Sequence, residues 1–440
     1  MHTGRGARLS DGRFCVQGGG AFPCRRAPAS WLDWAAVLGA FALIFAFVFA
    51  AFYGRGAFGS DDLYGIGRLW AITDIAMLLY ILTQLRFLRW RTPMVTITCL
   101  WLFWVSCTCL QLSEQGIDGV RRGLLQVFYC PVFFLFFYIL AKREPDFTGL
   151  IIRLFILVLL LCSFMFWMVF GYQNLSVQMG SALLNDAYYV LLLLPFVLIS
   201  REKLVRYGGI ALVFLVVFWS MKRTAFAALV AALAFYFVAE LVRLRSWLNL
   251  RWLAGVALAI VAGASLFNYV GDNSGEYFIS RLEAAETDRG SRRLDIYQYV
   301  LALQADASLE GWILGHGHNS VLAKSRDEGM LPASAHNDWQ EVLFDYGLPG
   351  FLLYVLFHLN VLRLNWRMIR QGSEFAPAVA ASYAIFLSLS LTSHLVLYAT
   401  YFSYLMAFWG LAAAEHERLA LVGNSARRGY GVWLRSKNPV

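Results

Sequence analysis

The sequence predicts an all-α integral membrane protein with about 12 transmembrane helices and one large, helical extracytoplasmic loop between the ninth and tenth of them. Two observations carry this. Hydrophobic residues make up 59% of the chain and charged residues only 15%, against about 25% charge in a soluble domain. Apolar stretches of about 18 to 23 residues recur along the whole length, each able to cross a hydrocarbon core of roughly 30 Å as a helix. Helix follows because backbone amides in lipid must be satisfied within their own segment.

In chain order, residues 1–30 are rich in Gly and Arg and read as a disordered cytoplasmic tail. Residues 31–270 hold nine spans, near 34–54, 67–85, 93–112, 123–141, 148–170, 183–200, 207–221, 224–241 and 252–270. The first follows Arg25 and Arg26 but is longer than a signal-peptide core and has no small-residue cleavage site, so it reads as retained. Residues 271–347 form the polar loop. Three more spans follow within 348–415, near 348–364, 376–394 and 396–415, and 416–440 form a second cytoplasmic tail.

Orientation comes from the positive charges. With both termini inside, alternation puts most of the 37 Lys and Arg residues in inner segments, from Arg86, Arg89 and Arg91 through Lys142 and Arg143 to Arg363, Arg367 and Arg370. The net charge of +9 is then mainly cytoplasmic. Anionic headgroups account for it, and no nucleic-acid partner is needed. Five of the seven cysteines lie within spans and none in the loop, so no disulfide framework is implied.

The basic residues that break the inside rule are the informative ones. Lys222 and Arg223 sit in the tight turn between spans seven and eight, and Arg289, Arg292 and Arg293 lie in the loop. After Arg292, apolar residues at Leu294, Tyr297, Val300 and Leu301 predict an amphipathic helix along the membrane face. Its arginines would stand in the first turn, where free N–H groups favour a phosphate. Leu314-Gly-His-Gly-His-Asn319 predicts a sharp turn. His336-Asn337 then opens a short helix that ends at Tyr346-Gly347, with Gly347-Leu-Pro-Gly350 breaking the chain before span ten.

These residues resemble the signature of the bacterial O-antigen ligase/polymerase superfamily. His336-Asn337, Gln340-Glu341 and Tyr346-Gly347-Leu-Pro-Gly350 match one block. Ser220-Met-Lys-Arg223 resembles the family's Ser-x-x-Arg turn, and Leu314-Gly-His-Gly317 its Leu-Gly-x-Gly turn. Arg293-Leu-Asp-Ile-Tyr297 resembles the family's Arg-Leu-x-Ile-Trp segment, with Tyr in place of Trp. The likeness runs from about residue 210 to 365; the N-terminal half agrees only as a set of hydrophobic spans.

The resemblance implies a GT-C-like glycosyltransferase bundle in the bacterial inner membrane, working at its periplasmic face without metal or other cofactor. Its donor would be an undecaprenyl-pyrophosphate-linked glycan, and in the ligase branch its acceptor a sugar hydroxyl of lipid A–core. Arg223 and Arg293 would stabilise the pyrophosphate, helped by Lys222 and Arg292, with Arg289 and Asn337 also binding substrate, and His336 would be the general base. Direct attack on the anomeric carbon would invert it.

Plainer readings stand beside each of these. His336 alone reads as a surface histidine at a helix start, Arg223 as a snorkelling span-end residue, and Arg293 as an exposed helix charge. His316 and His318, with His336, invite a metal reading, but no thiolate joins them and glycines flank them as in a turn. His358 and His394 read as satisfied packing residues. Asp74, Asn185 and Asp186 lie in or near spans, where polar groups often mark function. The Trp and Tyr residues read as interfacial belts and packing. A polymerase that elongates the lipid-linked glycan shares the same motifs. A transporter of lipid-linked sugars would place its charges near the midplane rather than at the outer face.

Overall fold

The computed structural model describes residues 14–17, 20–23, 30–57, 63–110, 116–172, 187–220, 222–244, 293–328, 334–393, 395–397 and 399–437. The predicted ninth span, residues Asn185, Asp186, Arg289, Arg292 and His394, and the side chain of Arg223 lie outside the described part.

Helices occupy the other predicted spans. They are α1 (Trp31–Ala57), α2 (Leu63–Thr83), α3 (Pro93–Cys109), α4 (Gly116–Arg143) and α5 (Asp146–Tyr172). The sixth segment is split into α6 (Ala187–Leu192) and α7 (Leu194–Leu198), where Pro195 removes a backbone donor. Then come α8 (Lys203–Trp219) and α9 (Arg223–Leu244). The loop contributes α10 (Arg293–Ala305), α11 (Leu309–Leu314) and α12 (Ser320–Asp327). Finally there are α13 (Asp338–Arg370), α14 (Ala376–Thr392) and α15 (Ala399–Lys437). Within the N-terminal tail, Phe14–Gln17 (β1) and Gly20–Pro23 (β2) pair as an antiparallel hairpin, local order that its composition does not announce.

Among the described residues, five helices are long and apolar enough to cross a membrane: Trp31–Phe52, Gly123–Arg143, Asp146–Met168, Thr224–Leu244 and Asp338–Arg370. Large apolar side chains such as Phe49, Leu79, Phe103, Phe164, Val238 and Leu359 point outward, exposed. That is tolerable in lipid and an aggregation hazard in water. The central helix is α4, buried at every residue from 131 to 140. The long helix α15 lies along it, and Gly410 makes the approach possible, because a Cβ there would collide with the Phe134 carbonyl. Likewise α14 packs along α9, α1 against α2 and α5, and α13 against α3 and α14.

At one end of this bundle, basic residues meet carboxylates. Arg143 pairs with buried Asp33 at 2.8 Å, and Asp33 also accepts from Tyr80. Lys142 pairs with Glu417 at 3.0 Å, and Arg243 with Glu240 at 2.6 Å. This is the end that the positive charges of the inner segments mark as cytoplasmic in the sequence. The loop helices cap the other end.

Candidate functional site

The site grows from a rigid platform beneath it. Helix α13 turns sharply at Gly347, with φ of 65° in the left-handed region, and runs on past Pro349. Gly347 and Gly315, whose φ is 78°, face each other backbone to backbone. A Cβ on Gly315 would collide with the Asp345 carbonyl, and one on Gly347 with the Ile313 carbonyl. Only glycine suits both demands. The Asp345 carbonyl accepts from His316 N (3.2 Å) and Gly317 N (2.9 Å). Its carboxylate accepts from Asn319 N (2.6 Å), Ser320 N (3.0 Å) and Ser320 Oγ (2.6 Å), which seats the start of α12.

The two histidines of this turn are structural. Nε2 of His318 lies 2.7 Å from Gln126 Oε1, which can only accept, so Nε2 carries the proton and Nδ1 accepts from Tyr346 Oη at 2.6 Å. Burial holds this imidazole neutral, with its pKa pushed down to about 4. His316 stacks on Phe344 at 4.2 Å, its Nδ1 is 3.1 Å from the Phe344 carbonyl, and burial lowers its pKa too. Among the described residues, no three His, Cys, Asp or Glu side chains stand together as metal ligands.

Above the platform, residues 334–337 lead into α13. Ala335 N donates to Glu341 Oε2 at 2.6 Å, and the Asn337 side chain caps the helix by accepting from Trp339 N and Gln340 N. The Asn337 oxygen is therefore committed to the cap. Between them His336 is forced to a φ of 52°; apart from glycines, only Asn319 shares a positive φ among the described residues. A β-carbon residue in that region is strained, and such strain gathers at functional sites. The His336 carbonyl accepts from the Tyr297 hydroxyl at 3.2 Å, and the same hydroxyl reaches the Leu391 carbonyl at 2.9 Å. One phenol thus ties α10, the His336 segment and the end of α14 together. A Trp at this position could not make that pair of contacts with an O–H group.

Arg293 and Lys222 converge on this imidazole. Burial, with their positive fields added to it, pushes the His336 pKa down to about 4. Arg293 stands in the first turn of α10, as the sequence predicts, and its charge also reaches Tyr297 and Tyr188. The Lys222 ammonium lies over the Tyr188 ring, 5.4 Å from its centre. Arg223 begins α9, beside Lys222. Three of the residues singled out in the sequence, Lys222, Arg293 and His336, are therefore brought together from three separate segments.

Tyr188, beside these cations, does not stand out in the sequence. It lies on α6, buried to 2% exposure, with its hydroxyl directed toward Thr224 and Ser393 and stopping short of a hydrogen bond among the described residues. In the sequence it is one more aromatic in an apolar span. Glu341 and Asp345 were also missed as the groups that hold the loop, although both fall inside the motif block.

The inward face of α10 is Ile296, Tyr299, Val300 and Leu303, packed against Val321, Ala335 and Phe344, whereas Leu294 and Leu301 are exposed. The helix is thus apolar on both sides. One expectation needs correction: His358 does pack, stacked on Phe386 at 4.0 Å, but both its ring nitrogens are buried without a hydrogen-bond partner among the described residues.

Residues 208–355 match the model of a family described as O-antigen ligase. The matched stretch begins within α8 and ends just beyond the Gly347 turn, so it contains Lys222, Arg293 and His336 together with the platform. No curated protein matches the chain. The region is thus similar to the O-antigen ligase/polymerase superfamily, and the match supports a transferase activity of that general kind.

Proposed function

We propose that the protein transfers a glycan from undecaprenyl pyrophosphate to a sugar hydroxyl of lipid A–core, in the bacterial inner membrane with its site facing the periplasm. The observation that carries this reading is the convergence of Arg293 and Lys222 on a strained, half-buried His336. Attack by the acceptor oxygen forms a bond to the anomeric carbon and breaks the bond to the pyrophosphate. His336 accepts the hydroxyl proton, and the charge released on the pyrophosphate falls to Arg293 and Lys222, with Arg223, Arg289 and Arg292 as further cations. One displacement inverts the anomeric centre. Neither bond change calls for a metal, since fixed guanidinium and ammonium groups supply the electrostatic stabilisation.

The depressed pKa of His336 fits this division of labour. With the site empty, the imidazole is neutral at physiological pH and so able to take a proton, but it is a weak base. A bound pyrophosphate offsets the two cations that depress it, so the imidazole becomes more basic as the donor arrives. Basicity is then highest when there is a donor to react with.

The test is transfer by purified protein in detergent, given the lipid-linked donor and lipid A–core with EDTA present, for wild type and His336→Ala. The expected result is glycan on lipid A–core with wild type only, the variant being slower by about 10²–10⁴-fold. Elongation of the lipid-linked glycan with lipid A–core untouched would establish the polymerase reading instead. Full activity of His336→Ala would remove the histidine from the reaction.

A further inference from the structure

At the end of the bundle opposite His336, an open cleft of about 650 Å³ lies among the first three turns of α5, the turn from α7 to α8, the turn before α14 and the middle of α15. Its walls are apolar: Ile152, Ile156, Leu157, Ile199, Val205 and Phe375. Its charged residues are Asp146, Arg153, Arg201, Glu202, Glu374, Glu415 and Arg418. Most of these are already engaged. Arg201 pairs with Glu374 at 3.4 Å, Arg418 pairs with Glu415 at 2.6 Å, and Asp146 has contacts of its own.

Two charges are left over. Arg153 stands two turns into α5, about 10 Å along the helix from Asp146, and makes no ion pair among the described residues. Glu202 precedes α8, and its carboxylate likewise makes none there. They line the same cleft yet do not pair with each other. A guanidinium held that far up an apolar helix calls for an anion at headgroup depth. A lone anionic lipid would answer Arg153 but leave Glu202 facing more negative charge. A group carrying both a phosphate and an ammonium answers both.

We propose that this cleft binds a zwitterionic aminophospholipid, a phosphatidylethanolamine. Its phosphate sits on Arg153, its ammonium on Glu202, and an acyl chain runs along Ile152, Ile156 and Leu157. Four chain segments meet there, so a lipid bound across them also ties the start of α5 to α8, α14 and α15. The proposal does not depend on the transferase reading.

The experiment titrates the detergent-purified full chain with phosphatidylethanolamine or phosphatidylglycerol of the same acyl chains and counts retained lipids by native mass spectrometry. The wild type is expected to retain phosphatidylethanolamine about tenfold more tightly, with a rise in melting temperature that phosphatidylglycerol does not match. Arg153→Gln is expected to lose both lipids, and Glu202→Gln to lose the preference while keeping phosphatidylglycerol. Both side chains are exposed, so melting without added lipid should stay at the wild-type value. Equal retention of the two lipids by the wild type would overturn the proposal, whatever the variants do. A preference for phosphatidylglycerol would make this an anionic-lipid site. Retention unchanged in Arg153→Gln would mean that the guanidinium holds no headgroup.

Discussion

Where α4 and α15 carry their basic residues, cations meet carboxylates; where α8 turns into α9, they meet an imidazole. Asp33 lies against Arg143 at 2.8 Å, and Glu417 gathers Lys142, Arg89 and the hydroxyls of Tyr138 and Thr92. Each of these charges has a neighbour that neutralises it, and such clusters hold helix ends in register. At the other end, burial depresses the proton affinity of His336, and the positive fields of Arg293 and Lys222 depress it further. The difference separates structure from chemistry. A neutralised cluster is complete without a ligand, whereas a field that suppresses its own base is completed only by an anion. Removing a charge should therefore cost stability at the first end and turnover at the second.

The largest expected effect on stability comes from Asp33→Ala. Asp33 is fully buried, and its loss strands the Arg143 guanidinium and the Tyr80 hydroxyl. Breaking a buried pair from one side costs about 3 kcal/mol, read as a drop in melting temperature in detergent. Transfer per folded molecule should stay at the wild-type value. A fall in turnover with unchanged melting would reverse the roles of the two ends.

Arg293→Ala tests the other half. Melting should change little, because the side chain stands half-buried in the first turn of a loop helix, while transfer at neutral pH should fall about 100-fold. Arg293→Lys should recover part of this, since it restores the charge without the two-pronged fork. The variant also carries a signature that mere damage would not produce. Removing a cation that lowers the His336 pKa lets it rise from about 4 toward the ordinary value near 6.5. The acid limb of kcat/KM should move to higher pH in Arg293→Ala.

How much of this was readable beforehand follows from the range over which each signal acts. Spans are legible because bilayer thickness sets their length locally, and α1, α3, α4 and α5 fall where hydropathy puts them. Arg293 and His336 stand out as candidates because a motif keeps them in fixed order along the chain. Tyr188 is not, because it reaches the site from α6, across the interior of the bundle, and nothing in its surroundings sets it apart. Gly315 and Gly347 each read as turn glycines, yet their mutual contact is a tertiary fact that neither shows alone. The unsatisfied nitrogens of His358 belong to the same class, since sequence reveals a buried histidine but not what faces it.

Acid should act through the histidines of the loop. His336 and His318 are both held near 4 in the fold and titrate near 6.5 when unfolded. Between those values the unfolded chain binds the extra protons, so stability falls as pH drops from about 6.5 to 4. Melting temperature measured across this range should decline, and His318→Gln should flatten the decline. A slope unchanged in that variant would show that other groups drive it.

The smallest effect, and the sharpest on geometry, is expected from Tyr297→Phe. The ring stays and only the hydroxyl goes, so the His336 and Leu391 carbonyls lose a shared donor. A hydrogen bond of this kind is worth about 1 kcal/mol, a loss within reach of a careful melting curve. No charge changes, so the acid limb of the pH profile should keep its place, in contrast to Arg293→Ala. The imidazole should lose some of its aim, and kcat should drop several-fold with KM little altered. If kcat held while stability fell by that amount, the phenol would be a strut for α10 and α14, and His336 would owe its strained backbone to the Asn337 cap and the Glu341 clamp alone.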